Sequence, residues 1–236
     1  MFLPARGGDL LRVHHSHQAS GLPHAKVLGG LVAEKVLDLL AIAGLGLLAA
    51  LLLRSTLSAS GARALLATTG TAFGLSLAAL LLVRNFAGSL LRLLAAAARI
   101  LRAEPFFRRH VEPLVLDAGH GLAPRTLLGP VLLTVMMWLG VYAPAYMLAA
   151  AIVGVPLGYA ESLLVLFGGA LGLMLPGAPS GLGTFHASVV SAFLLLQRPA
   201  AEGLLAATAI HLLFFVACAA PAALLYARWG TRGHSR

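Results

Sequence analysis

The fold class this chain predicts is an all-α, polytopic membrane helix bundle, and three observations predict it. Hydrophobic residues make up 59% of the sequence and charged residues 11%, whereas a soluble domain is about half apolar and about a quarter charged. Several stretches reach the roughly 18–20 apolar residues that a membrane-crossing helix needs. The formal net charge is +9, and its bases collect between the apolar stretches. In a soluble protein such a charge would raise the question of nucleic acid. Here it reads as the basic connections that orient a membrane protein, so no nucleic-acid partner is expected. Cys218 is the only cysteine, which excludes an intrachain disulfide. The opening "MFLPARGGDLLRVHHSHQ" lacks the apolar region of a cleavable signal.

About six hydrophobic segments are expected within one membrane domain, residues 1–236. Residues 1–24 form a polar motif segment. A first helix runs from about Ala25 to Leu53 and a second from about Arg63 to Val83. Residues 84–125 then make a basic connection with seven arginines and three acids. Within it, "LLRLLAAAARILRAEPFFRRH" spaces Arg92, Arg99 and Arg102 along apolar residues, which suits an amphipathic helix lying in the interface. A third span covers about Thr126 to Val153 and a fourth Ala160 to Leu175. A Gly/Pro loop at 175–187 and a short apolar segment to Gln197 precede the last helix, about Ala201 to Arg228. Gly70 with Gly74, and Gly168 with Gly172, have the spacing of close helix packing in lipid. In a chain of 26 glycines, chance is the alternative.

Lysine and arginine placement sets the orientation. With 84–125 in the cytoplasm, Arg6, Arg12 and Lys26 fall on the same side, as do Arg228, Arg232 and Arg236. Only Arg54, Arg63 and Arg198 fall opposite, and Lys35 lies within a span. The expectation is a multi-pass protein of the plasma (inner) membrane with a cytoplasmic C-terminus.

Three motifs carry possible chemistry. In "LPGAPSGLGTFHA", Pro176 and Pro179 cannot continue a helix, and Gly177, Gly181 and Gly183 free the backbone. Without a Lys-Ser/Thr pair after the glycines it is no nucleotide loop. It is either a plain turn between helices or a broken-helix site. The apolar segments beside it, about 16 and 12 residues, are each short of a full span. A hairpin with its tip inside the membrane explains both lengths, and the freed amides could hold an anionic headgroup. His186 lies one turn into the following helix. In "VAEKVLDLL", Glu34 and Asp38 share a helix face with Lys35 beside them, roughly 13 Å into the helix. Ionisable groups at such depth face a partner or an aqueous cavity; the alternative is a helix that begins late and leaves them at the interface. In "LPARGGDLLR", Arg6 and Arg12 offer forks suited to phosphate beside Asp9, with plain surface solvation as the alternative. His14, His15 and His17 lack a recognised ligand spacing, so neither metal nor cofactor is expected. Setting Pro4 against Pro176 and Pro23 against Pro199 brings Lys35 opposite His211. The two copies would be inverted, a pattern of transporters.

These motifs, in this order and over nearly the whole chain, resemble the flippase-like transmembrane region of lysylphosphatidylglycerol synthases and its stand-alone relatives. That family shows a P-x-R-x-G-[DE] element, an E-R-x-x-D-like element and a P-x-x-P-G-G-x-G-x-x-E-like element. Here Lys35 replaces the usual arginine, Ser180 the first glycine of the pair, and His186 the glutamate. The resemblance implies translocation or handling of a phospholipid or lipid-linked substrate. Arg6 and Arg12 would contact the headgroup phosphate, and Glu34, Lys35 and Asp38 would line a polar path to the 175–187 loop. Members usually carry about two more helices before the first motif, so the chain looks truncated at its N-terminus. The soluble aminoacyl-transferase domain of the synthases is missing, which argues against aminoacyl-lipid synthesis by this chain, and no enzyme is expected. Membrane lipids are the implied partners. A non-transporting scaffold that docks a lipid-modifying enzyme or glycosyltransferase is the alternative, with a membrane-embedded transferase a third.

Overall fold

The structure, a computed structural model, describes residues 7–121, 124–175 and 179–232. Every regular element among them is helical. Helix α1 (Gly7–Ser20) gives way at Gly21, φ +67°, and Pro23 opens α2 (His24–Leu52). The Ser58 hydroxyl accepts from the Gly61 amide at 3.1 Å and so caps α3 (Ala59–Ile100).

Helix α3 corrects the expected boundary at Val83. It bends at Phe86 (φ −120°, ψ 16°) and continues to Ile100. Charge alone does not stop a helix. Residues 84–100 contain no proline and are rich in Ala, Leu and Arg, the strong helix formers. Beyond the bend Leu93, Ile100 and Leu101 are exposed among the arginines, as an interfacial helix requires. The chain then turns through α4 (Glu104–Phe106) into α5 (Glu112–Gly121). At that turn Glu104 accepts from Arg108 at 2.9 Å and lies 3.7 Å from Arg99. The Arg108 hydrogen bond is the main cause holding the Glu104 carboxyl below its ordinary range.

Two π turns, Phe107–Val111 and Met136–Tyr142, share a cause. Each runs up to the residue before a proline, Pro113 or Pro144. Proline has no N–H and collides with the carbonyl four residues back. Winding one residue wider avoids the conflict: the Glu112 and Ala143 amides donate five residues back, to Phe107 and Trp138. The second π turn joins α6 (Pro124–Val135) to α7 (Ala143–Ile152). Then come α8 (Tyr159–Met174), α9 (Thr184–Leu195) and α10 (Ala200–Arg232).

Four helical stretches are long and apolar enough to cross a membrane: Lys26–Leu52, Ala59–Phe86, Leu127–Ile152 and Ala200–Pro221. Helices α8 and α9, of 16 and 12 residues, are not. They form a hairpin packed among α2, α7 and α10. Glycine makes the pairing possible. A Cβ at Gly168 would stand 2.9 Å from the Ser188 carbonyl oxygen, and one at Gly172 would stand 2.6 Å from that of Thr184. Gly70 and Gly74 have nothing within 4 Å, so their spacing does not reflect packing.

The main core fills one end of the bundle. It joins Leu45 and Ala49 of α2, and Leu53 just past its end, to Leu163–Leu166, Phe185, Phe193 and, on α10, Ala206, Ala207 and Ile210. At that end Arg198 ties the hairpin's base together. It bonds Glu202 at 2.7 Å and the Pro156 carbonyl at 3.0 Å, and reaches Glu161 at 3.7 Å. Toward the other end the packing loosens. Residues 34–41 of α2 include none that is fully buried, and on α10 none of the residues 212–217 and 219–221 is.

Candidate functional site

The break between α8 and α9 lies where the packed core ends. Leu175 leaves α8 in an extended conformation (ψ 137°), and a single 3-10 turn, Pro179–Gly181, follows. Ser180 (φ 62°), Gly181 (φ 71°) and Gly183 (φ 91°) all take left-handed backbone angles. Glycine adopts such angles freely, whereas a serine there is strained by about 1–2 kcal/mol. The usual glycine at position 180 therefore has a local cause, and Ser180 departs from it at a cost. Pro176 and Gly177 lie outside the described residues. Pro179 contributes its backbone to the turn.

From this break α9 places His186 on its first turn, facing His211 of α10. The ring centroids are 5.1 Å apart and tilted by 40°. His211 also stacks on Phe215, centroids 5.0 Å, and meets Phe185 at 4.9 Å. Its side chain is 8% exposed. Its ring lies beside the backbone of Ser180, while Nδ1 is buried with no partner among the described residues. His211 is the twelfth residue of the apolar stretch Ala200–Pro221, roughly 16 Å along it at 1.5 Å per residue. The hairpin tip therefore stands level with the middle of a spanning helix. Sequence comparison set His211 opposite Lys35; in space its neighbour is His186.

The carboxylates and the lysine of α2 form a second cluster. Lys35 lies 3.4 Å from Asp38 and 3.7 Å from Glu34, with side-chain exposures of 42%, 40% and 37% respectively. Counted from Leu52, Lys35 lies roughly 26 Å along its helix, some 10 Å farther from the packed end than the histidine pair. It sits within the apolar stretch Lys26–Leu52, and the helix begins eleven residues earlier, at His24. A cleft of about 260 Å³ opens beside it, lined by Leu37, Gly44, Phe73, Val131 and Trp138 among other apolar residues.

The N-terminal motif is less fully described. Arg6 lies outside the described residues. Asp9 and Arg12 belong to the backbone of α1, which packs on α2, and their side chains are not described. Farther along α1, His17 hydrogen-bonds the Leu22 carbonyl at 2.7 Å and stacks on His24 at 3.8 Å.

Arg198 was legible in the sequence only as a charge on one side. The Arg198-to-Glu202 spacing of four signalled a helical pair, but nothing signalled Glu161 or the Pro156 carbonyl. The family model described as Lysylphosphatidylglycerol synthase TM region matches residues 1–222. No curated protein and no solved structure matches the chain.

Proposed function

Since the chain belongs to the lysylphosphatidylglycerol synthase transmembrane-region family and is an integral membrane protein, we propose that it carries a phospholipid or lipid-linked substrate across the plasma membrane. The observation that carries this reading is the level of the α8–α9 break. A break in mid-helix exposes backbone amides and carbonyls that lipid cannot satisfy, and it is tolerated where it lines a cavity or a site. Broken helices meeting near the middle of the bilayer are the usual substrate sites of carriers.

The rest of the polar ladder supports it. The Glu34–Lys35–Asp38 cluster is about two-fifths exposed, and an ionic cluster does not face acyl chains without water or a polar partner beside it. A scaffold with closed pairs in a dry core would bury it. The apolar cleft beginning at Leu37, one residue from Asp38, could take an acyl chain while the headgroup stays with the ionic groups. The repeat reading gains support from form: both copies set a short helix before a long one that begins after a proline, Pro23 or Pro199. With residues 84–125 and the C-terminus cytoplasmic, the Arg198 end faces outward, the hairpin enters from outside, and the loose half opens inward. On this reading the protein is a carrier and catalyses no bond change.

The test is sidedness of labelled lipid in proteoliposomes, with a panel of anionic, zwitterionic and glycan-linked headgroups. Protein-dependent loss of asymmetry for at least one headgroup class is expected. Rates equal to protein-free liposomes across the panel would overturn the proposal.

A further inference from the structure

We propose that His186 and His211 together form a one-proton binding site, and that this proton accompanies an anionic headgroup into the hairpin tip; the second half of the proposal rests on the carrier reading above. The pair has the geometry for it. The two rings are 5.1 Å apart between centroids, close enough for a charge on one to oppose a charge on the other. At that separation in a poorly hydrated interior, two like charges repel strongly, so the pair takes one proton and not two. His211 is enclosed yet keeps a buried Nδ1 without a partner among the described residues. Buried polar atoms are nearly always paired, and an orphan of this kind marks a place for something else to bind. The adjoining Ser180–Gly183 turn has left-handed angles, and α9, 12 residues long, begins at Thr184. Amides in such a turn and at a helix N-terminus favour an anion.

The surroundings leave the pair to itself. On α7 the titratable neighbour is Tyr146, whose hydroxyl oxygen lies 3.0 Å from where a Gly169 Cβ would stand. Glu161 of α8 and Glu202 of α10 are engaged with Arg198 at the packed end. On α2 the charges are Glu34, Lys35 and Asp38, paired around Lys35. Each of these carboxylates lies within 4 Å of Lys35 or Arg198, so a charge taken up by the histidine pair is balanced by what enters the tip. A proton and an anion bound together cross the interior as a neutral pair, which avoids most of the cost of burying either alone. With the pair neutral, an anion meets only the amide dipoles.

Two measurements on the full chain separate the two halves of this proposal. The first follows the side-chain nitrogen signals of His186 and His211 by NMR in lipid nanodiscs, in ligand-free protein. One proton shared in a coupled titration is expected, with His186→Gln or His211→Gln altering the titration of the ring that remains. Independent titration of both rings would overturn the proton site. The second uses dihexanoylphosphatidylglycerol as probe and measures binding calorimetrically between pH 5.5 and 8, in buffers of different ionisation heat. Uptake of about one proton per lipid is expected above the titration of the pair, with affinity falling about tenfold per pH unit there. The double variant His186→Gln/His211→Gln should abolish the uptake and either single variant should shift the pH at which it occurs, while His14→Gln on exposed α1 should preserve it. Affinity unchanged between pH 6 and pH 8 would overturn the coupling. A coupled titration with no lipid binding at any pH would leave the proton site standing and sink the headgroup reading.

Discussion

Gly172→Val should spread the α8–α9 hairpin and destabilise the whole bundle. A Cβ at this position would stand 2.6 Å from the Thr184 carbonyl oxygen and 2.7 Å from the Phe185 Cα. Both atoms are backbone, so no rotamer change relieves the clash. Ordinary contact needs about 3.5 Å, so α9 must retreat by roughly 1 Å at its first turn, and the two methyl groups of valine add to that. Phe185 is fully buried and cannot follow freely. Overpacking of this kind costs about 1–3 kcal/mol, occasionally more, and the backbone contacts put Gly172→Val at the upper end, about 3 kcal/mol. Unfolding in mixed detergent micelles, followed by tryptophan fluorescence, reads the loss directly. Gly70→Val is the control, since nothing lies within 4 Å of that position and a change of under about 0.5 kcal/mol is expected. Equal stability of the two variants would refute the claim that Gly172 sets the approach of α8 to α9.

Arg198→Ala removes the ties from the turn before α10 to Glu202, Glu161 and the Pro156 carbonyl; a loss of about 1–2 kcal/mol is expected in the same unfolding assay, with Arg198→Lys restoring only part of it. Ser180→Gly relaxes a left-handed serine, φ 62°, and should raise stability by about 1 kcal/mol; a lower midpoint would show that the Ser180 side chain contributes more than its strain costs. Replacing Glu34 and Asp38 together by leucine should abolish lipid transfer while membrane insertion stays intact, and full transfer activity in that double variant would remove the cluster from the path. With Cys218 replaced, a cysteine at exposed Ala201 should react with an impermeant thiol reagent in intact cells, and one at exposed Arg109 only after permeabilisation; the reverse pattern would invert the orientation.

The fold was legible where composition and chain breaks agree. The 16- and 12-residue lengths of α8 and α9 follow from where Pro176, Pro179 and the glycines interrupt an apolar run. The end of α3 was not legible from the fall in hydropathy at Arg84, because hydropathy reports the surroundings of a helix and not its winding. The glycine pairs show the same limit: Gly168 and Gly172 pack tightly while Gly70 and Gly74 face open space, and spacing alone does not separate them. The π turns had a signal in Pro113 and Pro144, yet a proline in a helix permits a kink or an end as readily as a wider turn. The histidine pair needed three dimensions. Residues 25 apart on two helices meet because the chain turns back between α9 and α10 at residues 196–199, about midway between them. Asp9, Arg12 and Arg6 were named on motif alone, and their side chains lie outside what the structure describes.

The shortness of α8 and α9 also constrains biogenesis. Neither reaches the roughly 20 residues at which lipid alone holds a helix in place, and the turn between them has backbone groups that bare lipid cannot satisfy. Part of their buried surface, including Phe185 and Phe193, belongs to a core completed by Ala206, Ala207 and Ile210, residues synthesised after the hairpin. Residues 159–199 therefore have no settled position until α10 has left the ribosome. The molecule's most enclosed segment is then among the last to take its place, so assembly waits on the final helix and does not proceed one crossing at a time. A chain truncated before Ala200 should leave the hairpin open to protease, and extension by the next two dozen residues should close it.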